Sequence, residues 1–148
     1  MADCAPADPD AIEARGLIAE LDAALAAICG DSGAKSFDAN DVRGLRSVFL
    51  LARDAAGVAI GCGALRPLDE DVAVVKRMYA RPGSRAGVRL LGELERRALG
   101  FGYRAIWLET RKVNGRAVAF YERHGYRVIP NYGKYVGRED AVCLGKVL

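Results

Sequence analysis

The sequence predicts a mixed α/β (α+β) fold: one domain over residues 1–148, with a largely antiparallel sheet and one parallel strand–helix–strand crossover. Three observations predict it. The chain has 148 residues, one domain's worth, and at that length roughly 70% of the extended surface is buried. Helix-period stretches alternate with short β-rich runs. Their order is helix, three strands, helix, strand, helix, two strands.

The elements follow in order. Asp10 to Cys29 reads as a helix, with Ile12, Leu17, Ile18, Leu21, Leu25 and Ile28 at helical spacing and Gly30 as a stop. Asp31 to Arg46 is loose and polar, with Gly33, Asp38, Asn40 and Gly44, and reads as a loop with a helical turn near Asp41. Ser47 to Arg53 and Val58 to Leu65 are strands, the second weakened by two glycines. Val72 to Ala80 is a third, and the short links predict an antiparallel meander. Arg81 to Ala86 is a loop carrying glycine and arginine. Gly87 to Leu99 is a helix with Val88, Leu91, Leu94 and Ala98 on one face and Leu90 beside it. Tyr103 to Thr110 is a strand that should join Val72–Ala80 by a right-handed parallel crossover. Asn114 to His124 is a helix with Ala117, Val118, Phe120 and Tyr121 inward. Tyr126 to Ile129 and Ala141 to Leu148 are the last strands, flanking a loop from Pro130 to Arg138.

Composition narrows the function. Charged residues make up 28% and apolar residues 51%, a globular balance. No apolar run approaches the ~20 residues that cross a bilayer, so no membrane role is expected. The start, MADCAPADPDA, has neither the basic nor the apolar region of a signal peptide, and a cytoplasmic protein is expected. Cys4, Cys29, Cys62 and Cys143 lie outside metal-ligand spacing and His124 is the one histidine, so no metal is expected. A net charge of +3 does not point to nucleic acid. Arginines do cluster, from Arg77, Arg81, Arg85 and Arg89 through Arg96, Arg97 and Arg104 to Arg111, Lys112 and Arg116. They suit a compact anion, or are solvated helix and loop charges.

Two segments carry the chemistry. Arg81 to Gly87 follows a strand and opens a helix. First-turn amides lack internal partners and carry partial positive charge, and glycines let them approach an anion. The segment is a phosphate cradle or a plain turn; no Gly-Lys-Ser/Thr follows, so it is not a Walker loop. In NGRAVAFYERHGY, Asn114 suits an N-cap and Tyr121 lies two turns along the same face. Tyr121 is a proton donor or core filler. His124 is better explained as a helix C-terminal cap than as a catalyst.

Taken together, KRMYARP, a short loop, LLGELERRA, GYRAIWLET and NGRAVAFYERHGY resemble the GNAT acetyltransferase superfamily, above all its small bacterial members. IAELDAAL, VFLLAR and GCGALRPL fit too, so the resemblance runs from about Asp8 to the C-terminus. It implies acetyl-CoA as co-substrate and a primary amine of a small molecule, amino acid or peptide as acceptor. It implies a pantetheine arm between the strand matching Val72–Ala80 and that matching Tyr103–Thr110, paired with the backbone of Met78, Tyr79 and Ala80. A main-chain N–H near Met78 or Tyr79 would stabilise the oxyanion. The pyrophosphate would rest on the amides of Gly83, Ser84, Arg85, Ala86, Gly87 and Val88. Asn114 would bond the cofactor, and Tyr121 would protonate the departing thiolate. Many such proteins are homodimers, though no interface is legible here.

Two departures stand out. The family loop usually reads Arg/Gln-x-x-Gly-x-Gly/Ala. Here RPGSRAGV is about three residues short, with Arg85 at the middle glycine, where it narrows the cradle or contacts phosphate itself. Many members place a Glu where this chain has Val74. Glu109 is a stand-in base, directly or through water, or a strand-end carboxylate facing an arginine or solvent. The alternative to an active enzyme is a weakly catalytic module that binds acyl-CoA. The acceptor site is expected around the first helix, Phe37, Tyr132 and Tyr135.

Overall fold

The computed structural model describes residues 3–32 and 37–148. Of the polar loop read from Asp31 to Arg46, residues 33–36, Gly33 among them, lie outside the described residues. One seven-stranded sheet carries the architecture, in the order β1-β2-β3-β4-β5-β7-β6. The strands are β1 (Asp3–Pro6), β2 (Val48–Arg53), β3 (Ala59–Pro67), β4 (Val72–Ala80), β5 (Ala105–Arg111), β6 (Arg127–Ile129) and β7 (Ala141–Val147). Helix α1 spans Ile12–Cys29, α2 spans Ala86–Gly100 and α3 spans Gly115–Arg123. Single 3₁₀ turns fall at Ala39–Val42, where the helical turn near Asp41 was expected, and at Gly133–Tyr135 inside the late loop.

All neighbouring strands are antiparallel except β4 and β5, which run parallel with α2 as their crossover. α2 and α3 cover one face, over a core that includes Leu50, Leu65, Leu90, Leu94, Ile106 and Leu144. α1 covers part of the other face through Ala14, Leu17 and the strand residues Phe49, Leu51 and Cys62.

Four expectations need correction. β1 was not foreseen. DCAP shows no alternation and holds a proline, which an edge strand tolerates; it pairs with β2 at the sheet's margin. Val88 is not inward but 53% exposed, because Ala86, Leu90, Leu91, Leu94 and Ala98 form the buried stripe of α2. Ile12 and Ile28 are also exposed, since the sheet is met only by the middle of α1. In α3, Tyr121 is buried while Ala117, Val118 and Phe120 are half-buried.

The glycines of β3 do more than weaken it. A Cβ on Gly61 would lie 2.8 Å from the Tyr79 carbonyl oxygen and 2.9 Å from Leu90 Cδ1. One on Gly63 would lie 2.7 Å from Met78 Sδ and 3.0 Å from Leu94 Cδ1. Bare backbone at both positions lets α2 settle directly against β3 and β4.

Candidate active site

The site begins where the central ladder stops. β4 and β5 pair at Val72↔Ala105, Ala73↔Ile106 and Val74↔Trp107, and no further. β5 instead continues its pairing with β7 as far as Arg111↔Ala141. From Val75 onward the facing edges of β4 and β5 are therefore unzipped.

A bulge in β4 accompanies the split. Arg77 has φ 53°, in the left-handed region. Gly63 lies between two registers, Cys62↔Tyr79 and Ala64↔Lys76. The extra residue shifts the alternation of faces. Val75 packs with the α2 core and Lys76 does not, but past the bulge Met78 and Ala80 join that core and Tyr79 packs under α1. The Arg77 guanidinium anchors the bulge. It is held by the Asp22 carboxylate and donates to the Ser32 carbonyl oxygen at 3.3 Å.

A cavity of about 150 Å³ fills the opening. It passes between the two layers of helices. Tyr121, Ala117 and Asn114 line it from the α3 side, and Leu21, Leu25 and Cys29 from α1. Val74 to Met78 and Leu108 to Arg111 form its strand walls, and Tyr132 and Tyr135 close it with the late loop.

Of the residues expected at the site, the cavity brings together Met78, Glu109, Asn114 and Tyr121. Tyr79, Ala80 and the loop from Gly83 to Val88 are not among its lining. They continue from the end of β4 into α2. Arg81 donates its N–H to the Ile60 carbonyl oxygen at 2.9 Å. Bonded and non-bonded pairs alternate along an antiparallel ladder, so Ala80, opposite Gly61, turns its own N–H and C=O toward the open side. The Tyr79 side chain points the other way, its hydroxyl donating to Glu20 Oε1 at 3.0 Å.

The loop ends with Gly83 at φ 79° and Arg85 at φ 60° as the N-cap of α2. Ser84 Oγ accepts from the Ala86 N–H at 3.3 Å, while the next amides, Gly87 and Val88, have no partner inside the helix. The Gly87 Cα faces the Phe120 ring, which a Cβ would meet at 3.4 Å, so α3 lies against the entrance of α2. Arg81 does not serve this entrance, because Glu20 holds it at 2.8 and 3.1 Å. Arg77, Arg96, Arg97, Arg104 and Arg111 are also ion-paired, whereas Arg85 and Arg89 have no ion pair among the described residues.

The polar groups divide by face. On the α3 side, Tyr121 is 8% exposed and its hydroxyl has no hydrogen-bond partner among the described residues. Burial pushes the phenol well above its ordinary pKa, so it stays protonated. Asn114 Oδ1 caps α3 by accepting from the Ala117 N–H at 3.3 Å. His124 caps the other end, its Nδ1 lying 2.7 Å from the Phe120 carbonyl oxygen.

On the α1 side, Glu109 is paired with Arg111. Burial raises the carboxyl's pKa, against the opposing pull of that guanidinium. Lys76 donates to the Tyr135 hydroxyl at 3.4 Å, and burial, then Arg66 and Lys134, press its pKa down to about 8. Trp107 stacks on Tyr132 with 5.2 Å between centroids; a Cβ on Gly145 would lie 2.8 Å from the indole. Reading the sequence missed Lys76, Arg111 and Asp31 in this wall. Tyr132 and Tyr135 were anticipated; Phe37 lines a separate hollow with Pro9, Ile18 and Asp22. Among the described residues no cluster of His, Cys, Asp or Glu is arranged to hold a metal, and no helix is long and apolar enough to cross a membrane.

This split pair of strands, with a bulge on one side and a helix entrance at its end, belongs to a mixed α/β transferase fold. Residues 15–126 match the model of the acetyltransferase (GNAT) family, and the chain belongs to that family. A structure from Klebsiella pneumoniae, classed as an acyl-CoA N-acyltransferase, superposes with a TM-score of 0.83 at 28% identity, over 100% of this chain and 98% of that one. A GNAT acetyltransferase from Elizabethkingia anophelis with acetyl-CoA bound shares the fold at a TM-score of 0.71 and 15% identity, over 99% and 98% of the two chains. An uncharacterized N-acetyltransferase of Schizosaccharomyces pombe is 34% identical over 89 residues, 57% of this chain. The match spans 55% of the length of that curated relative.

Proposed function

We propose that this chain transfers an acetyl group from acetyl-CoA to a primary amine by direct attack. The observation that carries the reading is the unzipping of β4 from β5 after Val74↔Trp107, with Tyr121 lining the gap. The acetyl-CoA bound by the Elizabethkingia protein of like fold supports it.

Residues divide the work by face. The open edge of Met78 and Ala80 offers main-chain groups to the pantetheine arm, with Tyr79 between them, and an N–H there to the thioester oxygen. The amides from Gly83, Ser84, Arg85 and Ala86 to Gly87 and Val88 receive the pyrophosphate at the α2 entrance. Arg85 and Arg89 add positive charge to it. Asn114 keeps α3 in register and contacts the arm. The Tyr121 phenol, protonated at neutral pH, gives its proton to the leaving thiolate. An acceptor amine of pKa ~10 is mostly charged at pH 7, and the raised carboxyl of Glu109 takes its proton, directly or through water. With Val74 in place of an acid, β4 carries no carboxylate for this step. We place the protein in the cytoplasm as a single domain, consistent with its four free thiols.

Calorimetry with acetyl-CoA and thiol release with an amine panel test the reading. Tyr121→Phe is expected to lower turnover at least tenfold and leave acetyl-CoA affinity within a factor of two. Unchanged turnover removes Tyr121 from the chemistry. Binding without release from any amine favours instead a module that only holds acyl-CoA.

A further inference from the structure

We propose that the acceptor amine carries an anionic group, a carboxylate being the simplest, and that Lys76, Arg66 and the Tyr132 hydroxyl hold that group on the α1 side of the cavity. The inference rests on the acetyl-transfer reading and specifies its second substrate.

The strand registers set the geometry. Arg66 lies directly opposite Val74, and Ala64 opposite Lys76. Directly opposed residues share a face, and so do residues two apart on one strand. Arg66 and Lys76 are therefore diagonal neighbours on one face, with Val74 beside both. Tyr132 roofs the same face through its stack on Trp107, whose partner in β4 is Val74.

Two polar atoms here, Arg66 Nε and the Tyr132 hydroxyl, are buried with no hydrogen-bond partner among the described residues. Buried polar atoms are rarely left so, because each forgoes the hydrogen bonds it makes in water. The nearest carboxylate to Arg66 Nε, Asp41 Oδ2, is 3.9 Å away, too far for a hydrogen bond. An acceptor oxygen between these groups satisfies both. Tyr132 lines the cavity with Lys76 and Tyr135, and Arg66 stands behind that wall beside Val74.

Charge decides the sign of the ligand. The acidic groups of this wall, Glu109 and Asp31, both face the Arg111 guanidinium, the first in contact and the second at 3.4 Å. Shared with that fixed cation, they leave room for one amine at Glu109 and little net negative charge for the further ammonium groups of a polyamine. Lys76, by contrast, has Arg66 and Lys134 as its strongest charge neighbours. Burial loosens its proton most and these two cations add to that, against the pull of Glu109 and Asp41; an anion placed here offsets the cations. The arrangement fits an α-amino acid or a similar short amine with a nearby carboxylate. The amine would then lie toward Glu109 and the carboxylate toward Lys76.

The test uses matched pairs of amino acids and their uncharged amides. Binding to the whole protein saturated with CoA is read by calorimetry, and thiol release is read separately with acetyl-CoA. The acid of a pair should bind at least tenfold more tightly than its amide. Lys76→Met and Arg66→Gln should each bring that ratio close to one. Tyr132→Phe, which removes only a hydroxyl that has no partner among the described residues, should reduce the ratio without lowering Tm. Amides that bind and react as well as acids overturn the anion site while leaving acetyl transfer standing. A preference for acids without thiol release from any amine supports the anion site and overturns acetyl transfer. A ratio that survives all three substitutions places the anion elsewhere and overturns the assignment.

Discussion

Lys76 shows what one half-buried charge does to a small protein. Its ordinary pKa of 10.5 falls to about 8, mainly because burial strips water from the ammonium. Below pH 8 both the folded and the unfolded protein carry the proton, and the folded state bears the full desolvation penalty. Between pH 8 and 10.5 the folded state releases its proton first, so the penalty fades as pH rises. Lys76→Met should therefore raise Tm at pH 7, and its advantage over the wild type should shrink across that window. Thermal melts of both proteins from pH 6.5 to 10.5 check this; a constant difference would contradict it. This residue was not legible as part of a site. In VAVVKRMYA a lysine reads as the polar tooth of an alternating strand, and only the unzipping of β4 from β5 turns it into a wall. Tyr121 was legible because Asn114 lies two helical turns before it. Glu109 was also legible, as a strand-end carboxylate facing either an acceptor or an arginine. In the structure it lines the cavity and is paired with Arg111.

At the scale of elements, the bulge of β4 governs the site. Arg77 occupies a left-handed conformation that L side chains other than Asn and Asp seldom adopt. Its guanidinium, 5% exposed, compensates by tying the strand to Asp22 of α1. Two substitutions separate backbone from side chain. Both lose the ion pair, but glycine accepts the backbone and alanine does not, at a difference of about 1–2 kcal/mol. Arg77→Gly should therefore unfold at a higher denaturant concentration than Arg77→Ala. Equal midpoints would mean that the strand does not need the left-handed turn. No glycine of β4 itself marks this bulge, and for that reason the sequence reading passed through Val72–Ala80 as a plain strand, right in its ends and silent on its kink. α2 was located within a residue at each end. Its inward face was rotated, because Val88 was counted with Leu91 and Leu94 while the small Ala86 that meets the sheet was not.

Across the whole molecule, order and pairing of the elements were largely readable: short links foretold the β2–β4 meander, and the helix between two β-rich runs foretold the parallel pair. What pattern alone did not supply is where that pair stops. The stopping point depends on side chains from three layers meeting in one place. A ligand that fills the gap should therefore act on stability as well as chemistry. At a hundredfold excess over its Kd, acetyl-CoA adds about 2.7 kcal/mol, which for a chain of this size corresponds to a rise of about 5–10 °C in Tm. A thermal shift series with acetyl-CoA measures it, and a flat series would count against binding at the split. The same split has a mechanical side. Four strands lie on one side of it and three on the other, joined across the middle by three residue pairs. The protein is in effect two ribbons hinged at a short seam, and it spends its weakest line of cohesion at the place where it needs room. Breathing motions should concentrate along that seam, so that amides of β5 and β7 exchange with deuterium as one group, distinct from those of β2 and β3.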